Sequence, residues 1–516
     1  MALFLNPVSE NFIELNHSGR FVDKSLLIKD LAQMMRAPDT KYVCISRPRR
    51  FGKTITANML CNYYAAGHNS TSLFDSLKIA QNESYKTHLN QYNVIFINMT
   101  DEYERCHRHI DELKQWLFTS IGRELKQAYP RLVYTKEDDL SLILRDAHEQ
   151  TNKKFVFIID EWDCVMRQAR DNEVAIKDYL EFLKVLFKDK DHVALAFMTG
   201  ILPIKKYGDH SALNSFKEYS ILSPGRFAPY MGFTEDEVRA LCDSHSLSFG
   251  EMRLWYDGYT VGKAGHIFNP NSVVNALDEG EFDNYWTRTE TWEAIKSYLE
   301  INVDGLKDEV VRLLAGETVR VDISTFKNDM TSMKSRDDVL TLLAHLGYLT
   351  AESDCYGDPD FRMLRIPDKE IQSEFRRVIV NSDDYTQTAR AVNASRSLLE
   401  SLLSGDAQAV AQGVSQAHSE HSAILKYNDE NSLSCVISLA FYSARDRYTV
   451  IRELPSGKGY ADLAFIPRPG VSAPALLIEL KHNESAETAL SQIKNKHYPP
   501  GSGGISRQSH PGGDKL

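Results

Sequence analysis

Four short apolar runs set the frame of this chain. "YVCIS", "VIFINM", "FVFIID" and "VALAFM" are each five or six residues long and rich in β-branched or aromatic side chains. Longer amphipathic segments lie between them, such as "IDELKQWLFTSIGRELKQAY". Buried strands alternating with helices predict a parallel sheet covered on both faces, because a parallel connection needs a crossover long enough to hold a helix. This α/β region is expected over residues 1–225. At 516 residues the chain exceeds one ordinary core, so further domains are expected behind it.

The net charge of −11 argues against a surface coated in nucleic acid along its length, while leaving room for a local basic groove. Apolar and charged fractions of 42% and 25% are those of a folded globular protein. Seven scattered cysteines include no C-x-x-C pair and are odd in number. Reduced thiols in a cytoplasmic protein fit them better than a disulfide framework or a zinc site. The N-terminus "MALFLNPVSENF" does not read as a signal peptide, and no apolar run is long enough to span a membrane.

From about Arg226 the pattern changes. In "MGFTEDEVRALCDSH" Thr234 and Glu237 form a capping-box pattern that opens a helix. "DDVLTLLAHLGYLTAESDCYGDPDFRMLRIPDKEIQSEFRRVI" then reads as helix, stop at Gly347, strand, polar turn, strand, helix. That order suits a winged-helix module. It is read as a packing subdomain rather than a DNA reader, because the helix carries acidic as well as basic residues. The helical and winged-helix-like region is placed at 226–383 and an Ala-, Ser- and Gln-rich helical connector at 384–427. A last compact α/β unit follows at 428–498, then a disordered tail at 499–516, "PGSGGISRQSHPGGDKL" with its preceding proline.

The chemistry concentrates at two places. "YVCISRPRRFGKTITANML" runs strand, loop, helix, the context a phosphate-binding loop requires. The G-x-x-x-x-G-K-[ST] pattern has Arg47 where glycine is usual. Pro48 pushes Arg47 toward extended backbone, so the chain is expected to leave the strand extended, turn at Pro48 and continue through Arg49 and Arg50. The run Arg49, Arg50, Phe51, Gly52, Lys53, Thr54 and Ile55 is expected to line a nucleotide. Gly52 allows close approach of the backbone, Lys53 reaches the β- and γ-phosphates, and Thr54 places its hydroxyl on Mg2+. "FVFIIDEWD" releases Asp160 and Glu161 at the end of a buried strand, where such sheets bind ligands. Asp160 is expected to hold the magnesium and Glu161 to activate the attacking water. Thr199, ending "VALAFMT", is read either as a γ-phosphate sensor or as a helix cap.

In the last unit, "GKGYADLAF" puts Asp462 on a strand and "ALLIELKHN" puts Glu479 and Lys481 two apart on the next, sharing a face. Asp462 and Glu479 suit one or two magnesium ions, which would acidify a water beside a scissile phosphate, with Lys481 positioning that water or stabilising the developing negative charge. A bare D…E-x-K pattern is common on charged surface strands.

"FVDKSLLIKDL", "RPRRFGKT", "IIDEWD", "MTGI", "GFTEDEV", "WYDGYTVG" with "FNPNSVVNAL", and "LLAHLGYLT" with "RIPDKEI" stand in this order. Together they resemble a bacterial family of AAA-ATPase-like proteins with a C-terminal PD-(D/E)XK nuclease domain, over the chain to about Tyr498. That family itself carries Arg-Pro-Arg-Arg ahead of the GKT. Trp162 stands where tyrosine is commoner and Ser25 where threonine is. The resemblance implies a P-loop NTPase sheet, a helical and winged-helix-like middle, and a small restriction-endonuclease-like C-terminal domain. It adds Glu430, Glu453 and Gln492 as accessory polar positions. The family continues beyond "QIKNKHY" with a further apolar strand, whereas this sequence turns to glycine, proline and serine, so the nuclease fold is expected to be truncated. The function expected is ATP binding and hydrolysis with an appended Mg2+-dependent nuclease-like domain acting on DNA or RNA. The alternative is a nucleotide-dependent switch whose C-terminal domain binds without cutting. A homo-oligomer that completes the ATP site is also compatible, with Arg226 as a candidate donor.

Overall fold

The computed structural model describes residues 3–137, 139–188, 190–204, 213–286, 296, 298–300, 303, 305–326, 333, 335–421, 430–456, 459–468 and 471–480. The chain forms two compact units. The first takes Met1–Arg288 and Arg320–Ile371, the second Thr289–Val319 and Gln372–Leu516.

A five-stranded sheet centres the first unit: β1 (Tyr42–Ser46), β2 (Asn93–Asn98), β3 (Phe155–Asp160), β4 (Val193–Gly200) and β5 (Lys217–Tyr219), in the order β2-β3-β4-β1-β5. Every pairing is parallel. The four apolar runs are thus four of the strands. The alternation within each run sorts side chains to opposite faces. Cys44, Phe157, Ile159 and Met198 join one core with the helices Ile110–Ala128, Leu140–Thr151 and Glu173–Phe187. Val43, Ile45, Val156, Ile158 and Phe197 join another with Leu26–Met34 and Lys53–Tyr64.

Register decides where the chemistry falls. Asn98 pairs with Asp160, Asp160 with Thr199, and Thr199 with Ile45. The carboxylate end of β3 therefore lies in line with the ends of its neighbours, beside the loop that leaves β1.

That loop begins with Arg47. Its φ is not in the left-handed region, as the following proline dictates. Its guanidinium is fully buried. Nη1 donates to the carbonyls of Ser46 and Tyr219 at 2.8 and 2.9 Å, and Nη2 to that of Phe227 at 3.2 Å. The Arg47 N–H donates to the Gly200 carbonyl at 3.0 Å. One residue thus ties the ends of β1, β4 and β5 to the turn Gly225–Phe227. Burial pulls its pKa down to about 9, so the group is still charged at neutral pH.

Beyond the sheet, the capping box of Thr234 and Glu237 opens the helix Glu235–His245. A small antiparallel sheet in the order β6-β8-β7 joins Phe233–Thr234, Asp257–Thr260 (β7) and His266–Phe268. The winged-helix order is present. Helix Arg336–Leu346 stops at Gly347, and β10 (Thr350–Ser353) pairs with β11 (Phe361–Arg365), with β9 (Val319–Asp322) completing that sheet. Residues Val339 to His345 of the helix are all buried, which leaves it no free face for a DNA groove and fits a packing role.

In the second unit β12 (Tyr448–Ser456), β13 (Gly459–Pro467) and β14 (Leu476–Ile478) form an antiparallel sheet. The helices read as a connector, Thr386–Ser404 and Ala407–His421, share one core with it. Leu398, Val410 and Val414 pack with Val436, Tyr448 and Phe465. Glu317, its side chain 9% exposed, pairs with Arg312 at 2.8 Å and with Arg452 at 2.7 Å. It fastens the segment after helix Leu306–Leu314 to β12. The tail 499–516 lies outside the described residues.

Arg47→Gly would recreate the usual phosphate-loop pattern, yet it should destabilise. Three charge-assisted bonds disappear, for a loss of about 3–5 kcal/mol. Thermal unfolding of the variant should start about 10 °C lower. An unchanged Tm would show that the bracket contributes nothing.

Candidate functional site

The loop turns at Arg49–Arg50 rather than at Pro48 and enters the helix Lys53–Tyr64. Two residues adopt left-handed φ, Arg50 at 65° and Gly52 at 82°. Gly52 does so without steric penalty, while a side chain there costs roughly 1–2 kcal/mol. The helix has no side-chain cap, and a helix cannot bond its own first N–H groups. A turn of this kind offers backbone donors and the positive helix end to an anion.

The side chains of the loop divide. Lys53 is 4% exposed, and its Nζ donates to the Pro48 carbonyl at 3.1 Å and lies 3.7 Å from Glu161 Oε1. Thr54 Oγ1 donates to Asp160 Oδ2 at 2.6 Å. Arg50 turns outward and gives Nη1 to the carbonyls of Tyr285 and Trp286. Phe51 buries its ring edge-on to Tyr259, centroids 5.1 Å apart. Arg49 is exposed, and its carbonyl accepts from Asn269. From Arg50 and Phe51, then, only the backbone is offered to a ligand in the loop.

Asp160 is fully buried, and burial pushes its carboxyl up to about 6. The Thr54 hydroxyl and the Lys53 ammonium oppose that rise, and the Glu161 charge adds to it. Burial likewise lowers Lys53, against the attraction of Glu161 and Asp160. Glu161 holds a left-handed φ of 53°. Its Oε2 meets Arg167 Nη2 at 2.5 Å, and Arg167 Nε also meets Asp163 Oδ2 at 3.1 Å. Asp163 in turn accepts the N–H groups of Ile201 and Leu202, fixing the chain after β4. Thr199 is fully buried, and its hydroxyl finds no hydrogen-bond partner among the described residues. No described helix starts beside it to be capped.

A cavity of about 300 Å³ adjoins the loop. Ile55, Thr56 and Phe51 form one wall, and Phe21, Tyr230 and Asn271 others. Lys24 also lines it, but its Nζ is engaged by Glu237 at 2.6 Å and by the Pro229 carbonyl at 2.7 Å. Of these residues only Phe51 and Ile55 are among the expected site residues. Thr56 follows them on the same helix, and the rest come from separated segments, near which "FVDKS", "GFTEDEV" and "FNPNSVVNAL" stand in the sequence.

In the second unit Asp462 lies on β13 and Glu479 directly after β14. The strands pair up to Leu463–Ile478, and Asp462 Oδ2 accepts the Leu480 N–H at 2.6 Å. Asp462 thus lies within β13 beside the chain that leaves β14, where Glu479 is 8% exposed. Lys481 and Gln492 lie outside the described residues. Glu430 starts a helix and Glu453 sits within β12. Arg226 is exposed in the turn Gly225–Phe227.

Together, the parallel sheet, the glycine–lysine–threonine loop after β1 and the carboxylate end of β3 define an α/β domain of the P-loop NTPase class. Residues 9–208 match a family model described as a predicted AAA-ATPase, and residues 428–506 match the PD-(D/E)XK nuclease superfamily. A curated relative is the Azotobacter chroococcum mcd 1 protein described as lying in the vnfD 5′ region, 27% identical over 258 residues. That match covers 48% of this chain and 47% of the relative, so it spans about half the relative's length. Solved structures similar to the chain include Cdc6p from Pyrobaculum aerophilum, at 12% identity and a TM-score of 0.27, covering 72% of this chain and 95% of that one. The ORC2 protein of Aeropyrum pernix in ADPNP–ADP complexes shares 11% identity at a TM-score of 0.31, covering 71% and 97%. No helix among the described residues is long and apolar enough to cross a membrane.

The Asp160 carboxyl is destabilised by ionisation. Its pKa is raised from 3.8 to about 6, so the folded state holds the proton more tightly, and stability falls as pH rises through that window. Asp160→Asn should therefore raise stability at pH 7.5, by up to about 3 kcal/mol. The gap to the wild type should narrow as pH drops through 6 and close only toward the unshifted value of 3.8. Chemical denaturation across this pH range measures this, and a gap independent of pH would contradict it.

Proposed function

We propose that this protein binds and hydrolyses ATP with magnesium in the cytoplasm, and that its C-terminal module cleaves DNA or RNA. The observation that carries the first part is the Thr54–Asp160 hydrogen bond at 2.6 Å, with the Lys53 ammonium 3.7 Å from Glu161 alongside. A hydroxyl, a lysine and two carboxylates converge where the helix start faces the strand ends. A hydroxyl and a carboxylate suit a hard divalent cation with phosphate oxygens completing its shell. Thr54 and Asp160 would hold magnesium, which when bound neutralises charge on the phosphates.

The chain's own groups supply the rest. The backbone donors at Gly52–Thr54 and the ammonium of Lys53 hold the β- and γ-phosphates. Glu161 accepts the proton of the attacking water, and Arg167 positions its carboxylate. Thr199, whose hydroxyl has no partner among the described residues, is suited to a γ-phosphate oxygen. The cavity beside Ile55 is suited to the base, because its walls are largely apolar and aromatic with a few polar groups. In the C-terminal module, Asp462 and Glu479 would hold the metal, and Lys481 would face the scissile phosphate.

Lys53→Ala should abolish nucleotide binding measured by calorimetry. Glu161→Gln should bind as the wild type does and lose turnover by on the order of 100-fold or more. Normal hydrolysis by both variants would refute the site. For the second activity, linear, circular and single-stranded substrates are incubated with magnesium, with and without ATP. Cleavage that vanishes in Asp462→Ala supports the nuclease. Intact ATP turnover with no cleavage of any substrate would leave the nucleotide-dependent switch as the function.

A further inference from the structure

Tyr285 and Trp286 are gripped from two sides. Arg50 Nη1 donates to their carbonyls at 3.0 and 2.7 Å. Glu370 Oε1 accepts their N–H groups at 2.5 and 2.8 Å. Its second oxygen takes the Ser272 hydroxyl at 2.8 Å. Both N–H groups and both carbonyls of this two-residue stretch are thus held by the side chains of Glu370 and Arg50, and all the side chains except that of Arg50 are buried. Charge-assisted bonds in a dry setting are the strong ones.

The grip is continuous with the phosphate loop. Arg50 belongs to it and sits at the left-handed turn. A Cβ added to Gly347, itself at φ 93°, would fall 2.7 Å from Pro48 and 3.0 Å from the Trp286 ring, so the three residues are packed without space between them. Tyr259, whose ring meets Phe51, donates its hydroxyl to the Gly347 carbonyl at 2.6 Å. Lys53 spans the same turn by its bond to the Pro48 carbonyl. Position along the chain gives the grip its meaning. The chain leaves the first unit after Arg288 and again after Ile371. Trp286 stands two residues before the first of these crossings and Glu370 one residue before the second.

We propose that Arg50, Tyr285–Trp286 and Glu370 form a clamp that reads nucleotide occupancy of the phosphate loop and passes it to the two segments by which the chain leaves the first unit. This rests on the ATP reading above and names a means of regulation for that site. A phosphate that takes the loop's N–H groups and draws Lys53 off the Pro48 carbonyl changes the turn from which Arg50 extends. Close-packed neighbours do not absorb such a shift but move with it. The side chain of Arg50, bonded to both carbonyls, is the handle by which the turn moves that stretch.

Hydrogen exchange tests this with the full chain, with and without ADP or ATP and magnesium. In the wild type, bound nucleotide should change exchange at the Tyr285 and Trp286 amides on the order of tenfold. Glu370→Ala should bind nucleotide within about threefold of the wild-type Kd while those amides exchange fast and ignore the ligand. Glu370→Gln, which keeps an acceptor, should restore part of the response. If Glu370→Ala does not fold, the wild-type and Glu370→Gln arms decide. Nucleotide bound by calorimetry with wild-type exchange at these amides unmoved overturns the clamp alone. A folded Glu370→Ala that keeps the full wild-type response does the same. No nucleotide bound by the wild type overturns the ATP reading, and the clamp with it.

Discussion

A buried arginine bonded to carbonyls sets the geometry of the first unit. Arg47 brings five N–H donors into a space with no water-facing surface, and among the described residues it pairs with no carboxylate. A charge in that position is tolerated only where its donors are met. The backbone oxygens of Ser46, Tyr219 and Phe227 meet most of them, and Nε has no hydrogen-bond partner among the described residues. Three strand ends are consequently not free to adjust independently. The positive-φ turn that a glycine would provide at this point is displaced to Arg50 and Gly52. The loop keeps its anion-facing helix start while its first residue becomes a fixed post.

Around that post the protein accepts strain. Asp160 is held in a pocket that raises its pKa, Glu161 occupies left-handed backbone, and the Thr199 hydroxyl is buried with no partner among the described residues. Each departs from what stability alone would select, and the three lie together at adjoining strand ends. Departures that cluster where charge and donors converge are the mark of a site shaped for a ligand. The Arg167 bridge to Glu161 and Asp163 holds this arrangement from below. It couples the carboxylate end of β3 to the chain leaving β4.

Much of this was legible in the sequence, for identifiable reasons. β1 to β4 are buried on both faces, so they read as continuous apolar runs. β5 is "KEY", three residues at the sheet edge with no apolar run to betray it. Lys53, Thr54, Asp160 and Glu161 were legible because strand–loop–helix spacing forces them together. The cavity walls and the Arg50–Glu370 clamp were not, since their residues meet only through tertiary folding across hundreds of positions. The Ala- and Ser-rich helices gave a weak apolar stripe and read as a connector. Their small residues instead allow close packing. A Cβ on Gly413 would lie 2.6 Å from Leu398 Cδ1. The contribution of 289–319 to the second unit is discontinuous in sequence, and no linear reading divides a chain that way.

That discontinuity bears on synthesis. Helix Leu306–Leu314 buries Leu306, Val310, Val311, Leu313 and Leu314, and Glu317 beyond it pairs with Arg452. The partner is encoded 135 residues after the glutamate (452 minus 317). On a ribosome adding about 5–20 residues per second, that gap lasts about 7–27 s. For that interval the apolar face of this amphipathic helix and the carboxylate beyond it wait on the nascent chain without their final neighbours. The residues 320–371 that complete the first unit emerge in the meantime. The order of emergence therefore leaves the buried face of this helix in need of shelter until β12 is made.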